Sequence, residues 1–202
     1  MIAVIDYKAG NLTSAVKALT YLGAETQVTQ DAEVVRTASK IVLPGVGHFQ
    51  ATALLQELGI TDAVREAVAR GAEFLGVCVG LQWLFDVSTE APETAGLGHF
   101  QGQCEHFPAL FEGAELKSPH VGWNSLDTIR GDSRLLQGIE PGGFVYYTHS
   151  WRAPVVPDTA SVTHYGGAFT GVVEHENVMG VQFHPEKSAE VGLRVLRNFV
   201  EL

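Results

Sequence analysis

The 202-residue sequence has 13 basic and 23 acidic residues, and its formal net charge of −10 argues against a nucleic-acid-binding surface. Its apolar content of 46% with 18% charged residues is typical of a soluble globular enzyme, and no apolar run is long enough for a membrane span. The length and even composition predict a single domain over residues 1–202. Two cysteines and the absence of a cleavable leader predict a reducing, cytoplasmic setting without a disulfide framework.

The first half of the chain alternates short apolar strands with helical patterns. The predicted strands are 2–5, 26–29, 40–43 and a segment from Phe74, and the predicted helices are 12–22, 51–58 and 62–69, the first capped by Asn11. Strands that alternate with helices pair in parallel, so this half predicts a doubly wound α/β layout. Functional loops in such a sheet lie at the carboxyl ends of the strands.

The second half reads mainly as strands joined by turns. The predicted strands are 100–107, 122–129, 144–151, 161–165 and 169–183, the last folded into a hairpin with its tip at 174–177. An amphipathic helix over 188–202 follows them. The central sheet is therefore expected to be mixed rather than wholly parallel.

The apolar run from Phe74 ends at Cys78, with Gly76 and Gly80 two residues to either side. This pattern is typical of a nucleophile elbow, in which a tight strand-to-helix turn exposes the apex side chain and leaves no room for neighbouring Cβ atoms. The N-terminus of the following helix would favour the thiolate. The alternative is that Cys78 is a small buried apolar residue.

A second candidate site is His184-Pro185-Glu186, at the end of the predicted hairpin arm 178–183. Residues two apart on an extended segment face the same way, so Glu186 can orient the His184 ring. The other ring nitrogen can then take the proton of Cys78 and later return it. Alone, this triplet could be a strand end with a solvated carboxylate, but together with the elbow the catalytic interpretation is favoured.

The elbow and the run Gln182 to Glu186 resemble class I, triad-type glutamine amidotransferases, and the resemblance spans nearly the whole chain. More narrowly, five motifs resemble the glutaminase subunits of imidazole glycerol phosphate synthases. These motifs are Asp6-Tyr7 with Gly10-Asn11-Leu12, Pro44-Gly45-Val46-Gly47, Pro119-His120 with Gly122-Trp123-Asn124, His149-Ser150, and Lys187-Ser188. The resemblance implies a single-domain, flavodoxin-like α/β fold with a mixed, mostly parallel central sheet flanked by helices. It assigns Cys78 as the nucleophile that forms a glutamyl thioester, His184 as acid and base, and Glu186 as its orienting residue.

An oxyanion hole and a glutamine pocket are expected around the elbow. The residue after an elbow nucleophile usually supplies one oxyanion N–H, here Val79, and the resemblance adds the peptide around Val46 and Gly47. Gln82 lies one helical turn beyond the nucleophile, and Glu90 offers a carboxylate for the α-ammonium group. The resemblance assigns both to the glutamine pocket. It also assigns the segment His149, Ser150 and Trp151 to the substrate carboxylate, although a buried strand with a satisfied histidine would look the same.

The resemblance implies hydrolysis of glutamine to glutamate and ammonia, without a cofactor or a metal. Cys104 and His106 are too isolated to suggest a metal site. The ammonia would pass to a cyclase subunit, a (β/α)8 barrel in a heterodimer, that makes imidazole glycerol phosphate and AICAR for histidine biosynthesis. The resemblance places the partner interface at Asn11, Trp123, Asn124 and Lys187.

Two alternatives remain. One is a glutaminase subunit of another synthase, of the pyridoxal phosphate or anthranilate type, against which Lys187 and the Trp123 segment argue. The other is a non-catalytic regulatory subunit, against which the intact residues Cys78, His184 and Glu186 argue. Because Gly45 and Gly47 flank a peptide that can change direction, we also predict that one oxyanion donor is withheld until the cyclase docks.

Overall fold

The computed structural model describes residues 1–9 and 12–202, so the predicted helix cap and interface residue Asn11 lies outside the described residues. The helices α1 to α6 of the described residues are Leu12–Tyr21, Ala32–Thr37, Ala53–Glu57, Ile60–Ala69, Val79–Trp83 and Ala189–Glu201. The strands β1 to β14 are Ile2–Ile5, Thr26–Thr29, Lys40–Gly45, Glu73–Cys78, Phe85–Ser88, Phe100–His106, Leu110–Phe111, Ala114–Glu115, His120–Leu126, Gly143–His149, Trp151–Arg152, Thr159–His164, Ala168–His175 and Val178–Val181. Short 3₁₀ turns occupy Phe49–Thr52 and Pro185–Lys187. Within the described ranges, no helix combines the length and apolar character needed to cross a bilayer.

A seven-stranded sheet in the order β12-β13-β14-β4-β3-β1-β2 forms the centre of the molecule. The neighbours from β14 through β4, β3 and β1 to β2 pair in parallel, whereas β12, β13 and β14 pair antiparallel. Helix α1 packs against α6, and α2 against α4. The predicted α/β fold with a mixed, mostly parallel sheet flanked by helices is confirmed.

Burial explains why the central strands read as apolar runs. All four residues of β1 and of β14 are buried, and so are the last five of β4, because helices cover a doubly wound sheet on both faces. Helix α6 instead buries one stripe that includes Val195, Leu196 and Phe199, with charged residues elsewhere on its surface.

Three smaller sheets accompany the central one in the described part of the chain. Strands β9 and β10 form an antiparallel pair in which His120 lies opposite His149 and Trp123 opposite Tyr146. Strand β6 pairs in parallel with β5 and antiparallel with β11, and β7 pairs with β8. The β9–β10 pair and β11 together carry the segment from His149 to Trp151, so the smaller sheets bring that segment to the site.

Several predicted boundaries need correction. Strands β1 and β2 match their predictions, but α2 was not predicted, because its six-residue length gives too short an apolar pattern; Asp31 caps it by accepting the Glu33 N–H. The predicted strand 144–151 ends at His149, since Trp151 pairs with His106 on β6 instead. The predicted hairpin tip is shorter than 174–177, because β13 continues through His175.

Candidate active site

Strand β4 ends at Cys78 and helix α5 begins at the next residue, which is the strand-to-helix turn that the sequence predicts. Cys78 has φ 55° and ψ −105°, a conformation in which a non-glycine residue is strained. A Cβ atom on Gly76 would lie 2.3 Å from the carbonyl oxygen of Gly80, and one on Gly80 would lie 2.1 Å from that of Leu43. The flanking glycines are therefore required by the close approach of the two backbones.

His184 follows the end of β14, the parallel neighbour of β4, so both candidate groups lie at one edge of the sheet. Its Nδ1 lies 3.0 Å from Oε1 of Glu186, and the side chains are only 2% and 4% exposed. Its Nε2 is buried and makes no hydrogen bond to the part of the chain that the structure describes. Burial lowers the pKa of His184, but the adjacent Cys78 and Glu186 outweigh burial and raise that pKa to about 10. The arrangement thus favours the protonated ring, an imidazolium whose Nδ1–H donates to the Glu186 carboxylate.

Gln182 lies beside the sulfur, although no role was predicted for it from the sequence. Its Nε2 donates to Sγ of Cys78 at 3.6 Å, and its Oε1 accepts from Nε2 of Gln82 at 3.2 Å. Strand alternation could have indicated this role, because Gln182 precedes His184 by two residues and so faces the same way. A donor at this position stabilises negative charge on the sulfur.

A cavity of about 240 Å³ opens over Cys78. It is smaller than the roughly 300–1,000 Å³ typical for drug-sized ligands and suits a molecule as small as an amino acid. All the predicted oxyanion and glutamine-binding residues border it, together with two that were not predicted, Pro119 and Thr148. The lining consists of Val46, Gly47, Cys78, Val79, Gln82, Glu90, Pro119, Thr148, His149, Ser150 and Trp151.

Two polar side chains in the cavity wall are held by the protein itself. Oε2 of Glu90 accepts the Phe49 N–H at 2.8 Å, and the side chain is 9% exposed. Nε2 of Gln82 donates to the Trp151 carbonyl at 2.8 Å. Both groups are therefore in place before a ligand binds.

The loop after β3 does not present all its N–H groups to the cavity. The N–H of Val46 donates to the Ala9 carbonyl at 2.9 Å and so is not available to a substrate in this conformation. Gly47 has φ +103°, a value that favours glycine, and a Cβ atom there would meet nothing within 4 Å. In this conformation the Val46 N–H is thus engaged by the backbone, and the residue that follows it is a glycine with open space around it.

The residues predicted for a partner interface divide between two faces. Trp123 is 52% exposed and lies with Val121 and Phe144 on an outward apolar face of the β9–β10 pair, and Lys187 is also exposed. Asn124 points to the opposite face of β9, where its Nδ2 donates to the His164 carbonyl at 3.1 Å. Of the predicted set, only Trp123 and Lys187 are thus placed with exposed side chains in the described part of the chain.

Comparison with known proteins agrees with this fold. The family model for glutamine amidotransferase class-I matches residues 3–202, and the chain belongs to that family. The chain is 41% identical to the imidazole glycerol phosphate synthase subunit HisH of Caldanaerobacter subterraneus, and the alignment covers 100% of this chain and 98% of the relative. It is 44% identical to the HisH subunits of a Synechocystis species and of Aquifex aeolicus, over 99% and 97% of this chain and 95% and 94% of theirs.

Solved structures show the same fold at lower identity. A structure described as a glutamine amidotransferase superimposes with a TM-score of 0.74 at 20% identity and covers 100% of both chains. A chain of the Thermotoga maritima PurLQS structure gives a TM-score of 0.73 at 19% identity, over 99% of this chain and 97% of that one. At these identities, the similarity establishes the architecture alone.

Proposed function

We propose that this chain hydrolyses the side-chain amide of glutamine and supplies the ammonia to the cyclase subunit of an imidazole glycerol phosphate synthase. The synthase is cytoplasmic, and it makes imidazole glycerol phosphate and AICAR for histidine biosynthesis. The observation that carries the proposal is Cys78 on a strained elbow, beside the buried pair His184–Glu186, at the base of an amino-acid-sized cavity. The names of the full-length relatives support the choice of synthase over the pyridoxal phosphate and anthranilate types.

The first half of the reaction makes the thioester. The thiolate of Cys78 attacks the amide carbon of glutamine and forms a tetrahedral adduct. The imidazolium of His184 then gives its proton to the amide nitrogen, which leaves as ammonia, and the glutamyl group remains bonded to sulfur. Glu186 accepts the Nδ1–H of the ring throughout, so it fixes the tautomer and balances the charge.

The second half regenerates the enzyme. Neutral His184 takes a proton from a water molecule, whose oxygen attacks the thioester carbon. Cleavage of the carbon–sulfur bond releases glutamate and returns the thiolate of Cys78. Gln182 donates to that sulfur and lowers the free energy of the charged leaving group.

Glutamine is held by groups on the cavity wall. The buried carboxylate of Glu90 pairs with the α-ammonium group, and the backbone of Ser150 and Trp151 receives the α-carboxylate. Gln82 borders the cavity beside them and orders the wall through its bond to the Trp151 carbonyl. These contacts place the amide carbon over Cys78.

The oxyanion hole explains why the chain would depend on a partner. Val79 supplies one N–H, and the second comes from the loop at Val46 and Gly47 once the Val46 N–H leaves its bond to the Ala9 carbonyl. A missing oxyanion donor costs about a hundred- to a thousandfold in turnover, whereas the bond to Ala9 is worth only about 1 kcal/mol. A docked partner can therefore switch the loop with modest interaction energy, and the isolated chain is expected to be a poor glutaminase.

The partner is a cyclase of (β/α)8 barrel fold, docked on the exposed face that carries Val121, Trp123 and Phe144, with Lys187 at its margin. An exposed aromatic and aliphatic patch of this kind is typical of a protein interface. The complex is a heterodimer in which the glutaminase cavity opens toward the acceptor subunit.

The decisive experiment is Cys78→Ala in the assembled synthase. Glutamine-dependent product formation is expected to fall to background, because no other thiolate lies at the elbow, whereas ammonia-dependent synthesis persists. Quenching the wild-type reaction with labelled glutamine should trap a covalent glutamyl adduct that the variant lacks. Glutamine use at the wild-type rate by Cys78→Ala would refute the proposal.

A further inference from the structure

We propose that His120 is a positioning residue for glutamine: it acts through His149 to hold the Trp151 wall of the cavity. The inference rests on the proposed function, because glutamine is taken as the ligand of that cavity. His120 itself does not border the cavity, and its contribution is carried by a directed chain of hydrogen bonds.

The bond at the cavity end fixes the direction of the chain. Nδ1 of His149 lies 2.8 Å from the Trp151 carbonyl, and a carbonyl can only accept, so Nδ1 carries the hydrogen. In a neutral ring, Nε2 of His149 is then an acceptor. Nδ1 of His120 lies 3.2 Å from that Nε2 and must donate to it. Both rings are therefore Nδ1–H tautomers.

Burial keeps both rings neutral. His120 is 5% exposed and His149 is 6% exposed. Burial lowers the pKa of His120 to about 4. It also lowers the pKa of His149 to about 3, although the bond to the Trp151 carbonyl acts in the opposite direction. At neutral pH, each ring thus has one donor and one acceptor, as the chain requires.

The far end of the chain is fixed by Asn124. Its Oδ1 accepts the Ser125 N–H at 2.8 Å, which leaves the amide nitrogen to donate to the His164 carbonyl at 3.1 Å and to Nε2 of His120 at 3.4 Å. With its amide orientation set in this way, Asn124 presents a donor to His120 and reinforces the Nδ1–H tautomer of that ring.

Aromatic stacking holds the His120 ring in place. The ring lies between Tyr165, at a centroid distance of 4.0 Å, and Tyr147, at 5.0 Å, with interplanar angles of 13° and 21°. Packing and hydrogen bonding are therefore separate properties of this residue, and suitable substitutions can remove one while keeping the other.

The hydrogen bond from His149 to the Trp151 carbonyl, at the cavity end of the chain, explains which kinetic constant should change. The Trp151 carbonyl accepts from both His149 and Gln82, so its two lone pairs are used. Loss of the His149 contact loosens the cavity wall that contacts glutamine. It leaves untouched the bonds that Cys78 and His184 make to their own neighbours. We therefore expect weaker glutamine binding and little change in the chemical steps.

Two variants of His120 in the assembled synthase separate the two properties. His120→Phe keeps an aromatic ring between the tyrosines and removes both hydrogen bonds. His120→Asn loses the stack but keeps an amide donor near the Nδ1 position. We expect His120→Phe to raise the KM for glutamine about three- to tenfold, with kcat within about twofold, and His120→Asn to stay within about twofold of the wild-type KM.

A purely packing role predicts the reverse order, and an unchanged KM in His120→Phe, or a larger rise in His120→Asn, would overturn the proposal. ¹⁵N NMR of the labelled wild-type complex tests the tautomers independently of any variant: Nδ1–H is expected on His120 and His149, and Nε2–H on either would overturn the chain. Failure of the proposed function is distinguishable, because the wild-type complex would then hydrolyse no glutamine.

Discussion

The substitution Glu186→Gln tests the buried pair directly. Oε1 of Glu186 accepts from Nδ1 of His184 at 3.0 Å, in a contact that is almost fully shielded from solvent. The glutamine side chain has nearly the same shape and retains a carbonyl oxygen that can accept the same N–H. The change therefore removes the negative charge while preserving the packing and one hydrogen-bond geometry.

The expected loss follows from the strength of that bond. A hydrogen bond to a charged group contributes about 1.5–3 kcal/mol, against about 0.5–1.5 kcal/mol for a neutral one. The difference of about 1–1.5 kcal/mol corresponds to roughly a 5- to 12-fold lower kcat at 1.36 kcal/mol per decade. If the new amide turns its nitrogen toward His184, it stabilises the wrong tautomer and the loss becomes larger.

The pH dependence gives a second readout with a defined sign. Glu186 is one of the groups that raise the pKa of His184 to about 10, so removing its charge lowers that pKa. The imidazolium that protonates the leaving ammonia is then lost at lower pH, and the alkaline limb of the activity profile moves down. The proton on the His184 ring also stabilises the wild-type fold. This contribution to the free energy of unfolding is fully present below pH about 6.5 and is lost as pH rises toward 10.

Steady-state glutaminase assays on the complex, from pH 6 to 10, would measure both effects. Asp158→Asn is a matched control, because Asp158 forms an exposed pair with His175 at 2.9 Å, far more open to solvent than the His184–Glu186 pair. The control should keep the wild-type profile. Wild-type kcat with an unshifted alkaline limb in Glu186→Gln would refute the role given to this carboxylate.

Three further predictions address the elbow, the pocket and the interface. Gly80→Ala would place a Cβ atom 2.1 Å from the Leu43 carbonyl oxygen. It is expected to abolish glutaminase activity and to lower the free energy of unfolding, measured in denaturant, by about 1–3 kcal/mol. Gly131→Ala is the control and should be near neutral, because a Cβ atom there would meet nothing within 4 Å. Glu90→Gln should raise the KM for glutamine about tenfold or more while kcat changes little, because the charge opposite the α-ammonium group is lost; an unchanged KM would place that group elsewhere. Lys187→Ala should reduce the activation of glutaminase by the cyclase ligand more than it reduces glutamine affinity, and an unchanged activation ratio would contradict its interface role.

The elements that sequence predicts well are those fixed by local physics. Strands β1 and β2 have the predicted ends, because turn residues on either side of a short strand-forming run fix where the strand begins and ends. The elbow was also predictable, since the close backbone approaches at Gly76 and Gly80 require glycine two residues to either side of Cys78. Helix α2 shows the limit: six residues are too few for a period of 3.6 to be recognised.

The features that could not be predicted depend on pairing between distant strands. The contact of Gln182 with Cys78 needs β14 beside β4, and that of His120 with His149 needs the register of β9 against β10. Register is set by side chains from both strands and by the intervening loops, so neither strand specifies it alone. Strands β9 and β10 begin 23 residues apart, and their sequences would look the same whether or not His120 and His149 faced each other.

Asn124 follows Trp123 on the predicted strand 122–129, so the face to which its side chain points was predictable from the sequence. On one strand, adjacent residues point to opposite faces, so Trp123 and Asn124 cannot present their side chains to the same surface. In the structure, Trp123 is exposed while the Asn124 amide donates inward to His120 and the His164 carbonyl. The two residues would therefore serve one interface in different ways: Trp123 by contact, and Asn124 through the hydrogen-bonded chain behind the strand.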